Sequence, residues 1–273
     1  MKLSMLPCSL FNEIISDRIP LEQWISGAKE YGLDGVDVSM MFFHMHTQTY
    51  LDSVKRIIEK YQTPIVMATT YPDFTHPDKA QRDRELYYTA YDISICAQMG
   101  IPYLRILAGQ EHEGTDRQTG INWAVAGIRR AADIADRFGV QLLYENHSKP
   151  GTWDNYDFSF PLDIFGEIMD KISDTSVRLN YDLGNTDAAG GDPVEVLKQY
   201  INKIETIHVT DMKEKGKVSQ TLIGTGITPV GECFKVLKEY GWNNWLCIEE
   251  ASNTGWDGIR QAAINTRKLW KEA

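Results

Sequence analysis

Three carboxylates and one imidazole stand at the ends of four short apolar runs in the second half of this 273-residue chain. LLYENH carries Glu145, RLNYDLGN carries Asp182, TIHVTD carries His208 and LCIEE carries Glu249. Neighbours in this set are about one β–α unit apart, so consecutive strands would bring the four side chains to one mouth. Such a group is costly to bury without a counter-charge, and a divalent cation resolves the repulsion among three acids. Three carboxylates and an imidazole suit one Mn²⁺ ion best. Co²⁺, Mg²⁺, Fe²⁺ or Zn²⁺ are alternatives, with open positions for substrate oxygens. A structural zinc would want thiolates and a closed shell. Glu249 directly follows the apolar run from Trp245 to Ile248, with Glu250 as the alternative inward residue.

Other residues cluster around these strand ends. His147, two past Glu145, is expected to face substrate as a second general base or a hydrogen-bond donor, with a structural loop histidine as the alternative. Arg105 ends the fourth strand, where it could hold a substrate oxygen or form an ion pair. Lys213 follows His208 by five residues and is expected to reach substrate; Asp211 is a further ligand or a support for one. His44 and His46 form an HMH triplet whose same-side spacing in extended chain allows a metal role. Trp153, Tyr156 and Phe158 form either an aglycone-binding wall or a cover for the barrel end.

The elements that must position these residues alternate from one end of the chain to the other. Strands are expected at 2–9, 35–39, 64–69, 103–108, 141–145, 177–182, 206–209 and 245–249. Helices are expected at 21–31, 50–61, 82–99, 122–138, 162–172, 193–201, 229–240 and 258–271. Strict alternation implies parallel strands with helical crossovers. Eight units over this length predict one (β/α)8 TIM-barrel domain spanning residues 1–273. The long loops after the strands, at 41–49, 70–81, 109–121, 146–161 and 210–228, would all lie at the end where such barrels place their sites. An open doubly wound sheet would carry a glycine-rich phosphate turn after its first strand; the segment SLFNEIISDRIP has no glycine.

Composition narrows the partners. The net charge is -10, and basic residues are scattered among acids, which argues against nucleic acid. Cys8, Cys96, Cys233 and Cys247 show no metal or disulfide spacing and read as buried free thiols. No stretch approaches the roughly 18 apolar residues of a membrane span, and the first residues do not form a secretion signal. A cytoplasmic location is expected, with no membrane partner.

With YENH at 144–147, NYDLGN at 180–185, IHVTD at 207–211, GTG at 224–226 and CIEE at 247–250, the whole chain resembles the xylose-isomerase-like barrel superfamily. That group includes sugar-phosphate isomerases, ketose 3-epimerases, inosose dehydratases and class II apurinic endonucleases. The resemblance implies metal ligation by Glu145, Asp182, His208 and Glu249, with Glu145 and Glu249 also shuttling protons. It implies a divalent-metal-dependent sugar isomerase or epimerase that abstracts a proton beside a metal-bound carbonyl to give an enediolate. The alternative is a lyase on the same scaffold: a keto-sugar dehydratase, or a deglycosidase of 3-keto-glycosides including carbon-linked ones. His147 and the aromatic loop lean towards the lyase. Asn185, a candidate substrate-binding residue, stands where endonucleases and ketose 3-epimerases tend to have histidine, which argues against a three-zinc nuclease. The family's PGEG turn is IGTG here, without its acid. The expected partner is a small sugar or sugar derivative. A homo-oligomer is expected, with a small second subunit if the protein is a deglycosidase.

Overall fold

The computed structural model describes residues 1–273. The strands are β1 (Lys2–Leu6), β2 (Val36–Ser39), β3 (Ile65–Thr69), β4 (Tyr103–Ile106), β5 (Gln141–Glu145), β6 (Arg178–Asp182), β7 (Ile204–Val209) and β8 (Trp245–Glu249). The helices are α1 (Phe11–Ile15), α2 (Leu21–Gly27), α3 (Gln48–Tyr61), α4 (Lys79–Met99), α5 (Arg117–Phe138), α6 (Leu162–Lys171), α7 (Leu183–Ala188), α8 (Pro193–Tyr200), α9 (Val230–Glu239) and α10 (Gly255–Glu272). The eight strands form one sheet in the order β1-β8-β7-β6-β5-β4-β3-β2. The pairings of β1 with β8, β7 with β8, β4 with β5 and β5 with β6 are parallel. β1 also lies beside β2, where Ser4 Oγ donates to Asp37 Oδ2 at 2.8 Å, so the two ends of the strand order meet. This is the (β/α)8 architecture the alternation predicts.

The chain's contacts fall into two compact units: Met1–Ala68 with Tyr181–Ala273, and Thr69–Asn180. In the first, the middle residues of β1, β2, β7 and β8 are buried on both faces, which favours apolar residues such as the run WLCI of β8. Registers Leu3↔Leu246 and Ile207↔Leu246 lock three of these strands together. In the second unit, Leu104 pairs with Leu142 and Tyr144 with Leu179. Here α4 and α5 begin on aspartate caps: Asp78 accepts from Ala80 N at 2.9 Å and Asp116 from Thr119 N at 3.0 Å.

Five of the expected strands are shorter by one to three residues, β7 begins two residues earlier than expected, and β5 and β8 have the expected bounds. Two short helices, α1 and α7, were not expected. All four cysteines are free: Cys96, Cys233 and Cys247 are buried and Cys8 is partly exposed, in the 3-10 turn after β1. No helix is long and apolar enough to cross a membrane.

Candidate metal centre

β-strand alternation decides which acids share a face. His208 pairs in register with Cys247, and Cys247 with Ser4 on β1. Registered neighbours in a parallel pair point the same way, and so do residues two apart on one strand. Glu249 therefore joins the face of His208, and Glu250 belongs to the opposite one. Glu250 accepts from Ser252 N at 2.9 Å and lies against Gly258 at the start of α10. Of the two glutamates, Glu249 is the one that shares the strand face of His208. Along β5 and β6 the same logic holds, because Glu145 registers with Asn180, two residues before Asp182.

Asp182 ends β6 and caps α7. Its Oδ1 accepts from Asn185 N and from Thr210 Oγ1, both at 2.6 Å. Thr210 in turn accepts from Gly184 N at 2.7 Å. Gly184 must be glycine for this: a Cβ there would sit 2.5 Å from Thr210 Oγ1. With Oδ1 occupied, Oδ2 is turned to His208, whose Nδ1 is 4.0 Å away; both side chains are fully buried. Glu145, Asp182 and His208 each offer one ligand atom, and these atoms lie within 4.8 Å of one another. Two carboxylate oxygens and an imidazole nitrogen, all buried, form a donor set that fits a divalent transition metal or Mg²⁺.

Glu249 lies outside this group of three. It is 8% exposed, and Cys8 Sγ donates to its Oε1 at 3.7 Å. Arg105 is placed by register with Leu143, two residues before Glu145. Its Nε meets Glu145 Oε2 at 2.9 Å in a fully buried ion pair. The same guanidinium lies 4.9 Å from the Tyr71 ring centroid. Of the two readings of Arg105, the ion pair is present, and its partner is a candidate ligand. Asn185 is buried, and neither its Oδ1 nor its Nδ2 has a hydrogen-bond partner. His147 is also buried.

Three expectations change. Lys213 is exposed, on a surface hairpin where its N donates to Ser219 O at 2.8 Å, because the chain leaves the buried face after Met212. Asp211, expected as a further ligand or a support for one, has its oxygens accepting from Gly224 N (2.9 Å), Gly226 N (2.8 Å) and Thr228 N (3.1 Å), which commits it to folding the loop. This gives the GTG turn its physical reason, since a Cβ on Gly226 would lie 2.2 Å from Asp211 Oδ1. His44 Nε2 lies 3.1 Å from Ile14 O, which ties that histidine to α1. His46 titrates low because it is partly buried.

Asp37 and Asp157 are among the buried acids that the sequence pattern did not reveal. Asp37 on β2 is held near pKa 6 by burial, opposed by hydrogen bonds from Ser4 and Cys247 and by the field of His208. Asp157 is pushed to about 7, first by burial and then by Glu145; its hydrogen bonds with Ser159 and the charge of Arg105 oppose the rise. Ser159 N and Oγ both bond Asp157 Oδ1, at 2.7 and 2.6 Å. A lone aspartate inside the apolar strand VDVS was the available signal for the first. Nothing in the aromatic stretch around residue 157 marked the second.

The sequence signature of the xylose isomerase-like TIM barrel family matches residues 25–272. The chain belongs to that family. Among relatives of this xylose isomerase-like barrel is an inosose dehydratase from Clostridium botulinum (strain Alaska E43 / Type E3). It is 24% identical over 218 residues, which are 74% of this chain and 68% of the relative. Several other inosose dehydratases match over about half of their own length, 52% for that of Clostridium tetani. The fold is shared with the IOLI protein, whose structure carries a bound zinc atom. That likeness has a TM-score of 0.80 at 17% identity, covering 100% of this chain and 99% of the other. It is shared also with a 3-keto-D-glucoside 4-epimerase from E. coli, at a TM-score of 0.79 and 14% identity, over 98% and 99% of the two chains.

Proposed function

We propose that this chain is a divalent-metal-dependent enzyme that moves the proton next to the carbonyl of a sugar-like ketone, as an isomerase or epimerase. The observation that supports this reading is the buried trio of Glu145, Asp182 and His208. A divalent cation held by these residues, Mn²⁺ first, would polarise the substrate carbonyl and make the adjacent C–H bond more acidic. Glu145 is the base that removes the proton, and its carboxylate is oriented by the Arg105 ion pair. Glu249, on the face of His208, is the fourth ligand and returns the proton. Asn185 takes a substrate hydroxyl with its unpartnered amide, since a buried polar group without a partner is otherwise costly.

The second reading is a lyase, and the dehydratases among the relatives favour it. When a hydroxyl or glycosidic oxygen stands β to the carbonyl, the same proton abstraction ends in elimination, with His147 protonating the leaving oxygen. Incubation of the Mn²⁺-loaded protein in D₂O separates the two. Deuterium entering a recovered ketose supports the isomerase. Cleavage or dehydration of a 3-keto-glycoside or inosose without exchange into ketoses supports the lyase. Glu145→Gln should lower either activity at least about 100-fold, the scale of a lost general base. Unchanged turnover removes Glu145 from the chemistry.

A further inference from the structure

A cavity of about 730 Å³ lies within the 69–180 unit, lined by residues 111–117 and 149–164 and by none of the candidate ligands. That volume is in the range of small-molecule sites. One wall is a two-stranded ribbon. Glu111 N donates to Tyr156 O and Phe158 N to Gly109 O, both at 2.8 Å, so Gln110 and Asp157 face each other in an antiparallel bridge. Successive residues of extended chain point to opposite sides. Asp157 takes the side where it feels Glu145 and Arg105, while Tyr156 and Phe158 line the cavity. The ribbon thus separates the cavity from Glu145.

The lining has a definite chemistry. Phe158 is buried against Gly120, where a Cβ would approach its ring to 2.3 Å. Tyr156 is 45% exposed and stacks on Phe160 at 5.4 Å and 24°, which fixes an aromatic face. The cations around it are engaged. Arg117 pairs with Glu167 and Asp163, Lys149 Nζ donates to Asp154 O at 2.7 Å, and His112 Nε2 lies 2.8 Å from Asp73 Oδ2. Glu111, Glu113 and Asp154 add negative charge. Such a rim repels phosphate and carboxylate groups. Its acids accept hydrogen bonds, so a ligand here must present donors around a ring with an apolar face. A plain aromatic ring would satisfy Tyr156 and leave the carboxylates without donors.

We propose that this cavity binds a neutral, unphosphorylated sugar ring, stacked on Tyr156 and hydrogen-bonded by Glu111 and Glu113, at a site separate from the metal centre. The test is binding of methyl β-D-glucopyranoside to the full chain, followed by saturation-transfer NMR and calorimetry, with glucose 6-phosphate as the charged comparison. Tyr156→Ala should weaken binding about fivefold, the scale of one aromatic stacking contact, and Tyr156→Phe should bind as the wild type does. Glu145→Gln should leave the affinity unchanged, which keeps the outcome independent of the catalytic reading. The phosphate should bind at least about tenfold more weakly, a difference of ~1.4 kcal/mol. Three results would each overturn the proposal: wild-type affinity in Tyr156→Ala, equal affinity for the phosphorylated sugar, or loss of binding in Glu145→Gln. Absence of any saturable binding would overturn it too.

Discussion

Thr210→Val removes one oxygen and keeps the shape of the side chain, so it isolates the hydrogen bonds that aim Asp182. The hydroxyl donates to Asp182 Oδ1 at 2.6 Å and accepts from Gly184 N at 2.7 Å, and all three residues are buried. A hydrogen bond to a charged group is worth about 1.5–3 kcal/mol, and a buried N–H left unpaired costs about 1–3 kcal/mol. The two losses share one site and do not simply add, so the variant should lose about 2–4 kcal/mol of folding stability in urea unfolding. Asp182 keeps the bond from Asn185 N but loses the one from the Thr210 hydroxyl. Metal affinity, measured by competition with a chromophoric chelator, should fall about 10–100-fold, the usual effect of removing a group that orients a ligand. Thr210→Ser should restore most of that affinity. If the metal-free valine variant is destabilised yet its metal affinity is unchanged, Thr210 supports the fold alone and the argument that it aims a ligand is wrong.

The buried Asp157 carboxyl has its folded pKa raised to about 7. The native state therefore binds the extra proton, and stability falls as pH rises from about 4 to about 7. Asp157→Asn should flatten that part of the profile and be more stable than wild type at pH 8; parallel profiles would refute the assignment. Gly226→Ala should lower the melting temperature by several degrees, because its Cβ would overlap Asp211 Oδ1 and Met212 O, each 2.2 Å away. Calorimetry showing an unchanged midpoint would mean the 221–228 loop yields freely. Lys213→Ala should leave kcat/KM within about twofold of wild type, as expected of an exposed surface residue; a loss above tenfold would return Lys213 to the site.

Strand positions were legible because strands buried on both faces are rich in apolar residues, as LLY before Glu145 and WLCI before Glu249 show. The candidate ligands followed, since a charge ending such a run marks the strand's rim. Helix starts were harder. α5 begins at Arg117, ahead of the apolar periodicity, because Asp116 caps it through Thr119 N. α7 has the sequence LGNTDA, whose glycine, asparagine, threonine and aspartate are poor helix formers. It forms because Asp182 caps it and every residue is buried, a tertiary effect that local propensity does not contain. The Arg105–Glu145 pair needed the β4–β5 register, which no single strand carries. Asp211 could be read as a ligand or as a support for one, because its type and its place near His208 allow both. Only the fold of the following loop, which turns three backbone N–H groups onto its carboxylate, distinguishes a clamp from a ligand.

The central claim is that Glu145, Asp182 and His208 hold one divalent ion. Anomalous diffraction at the manganese edge, from crystals of the full chain grown with Mn²⁺, tests it most directly. One peak per chain within about 2.0–2.4 Å of an oxygen of Glu145, an oxygen of Asp182 and a nitrogen of His208 is expected. That peak should be absent from His208→Ala. A peak elsewhere, or none at saturating metal, would contradict the account.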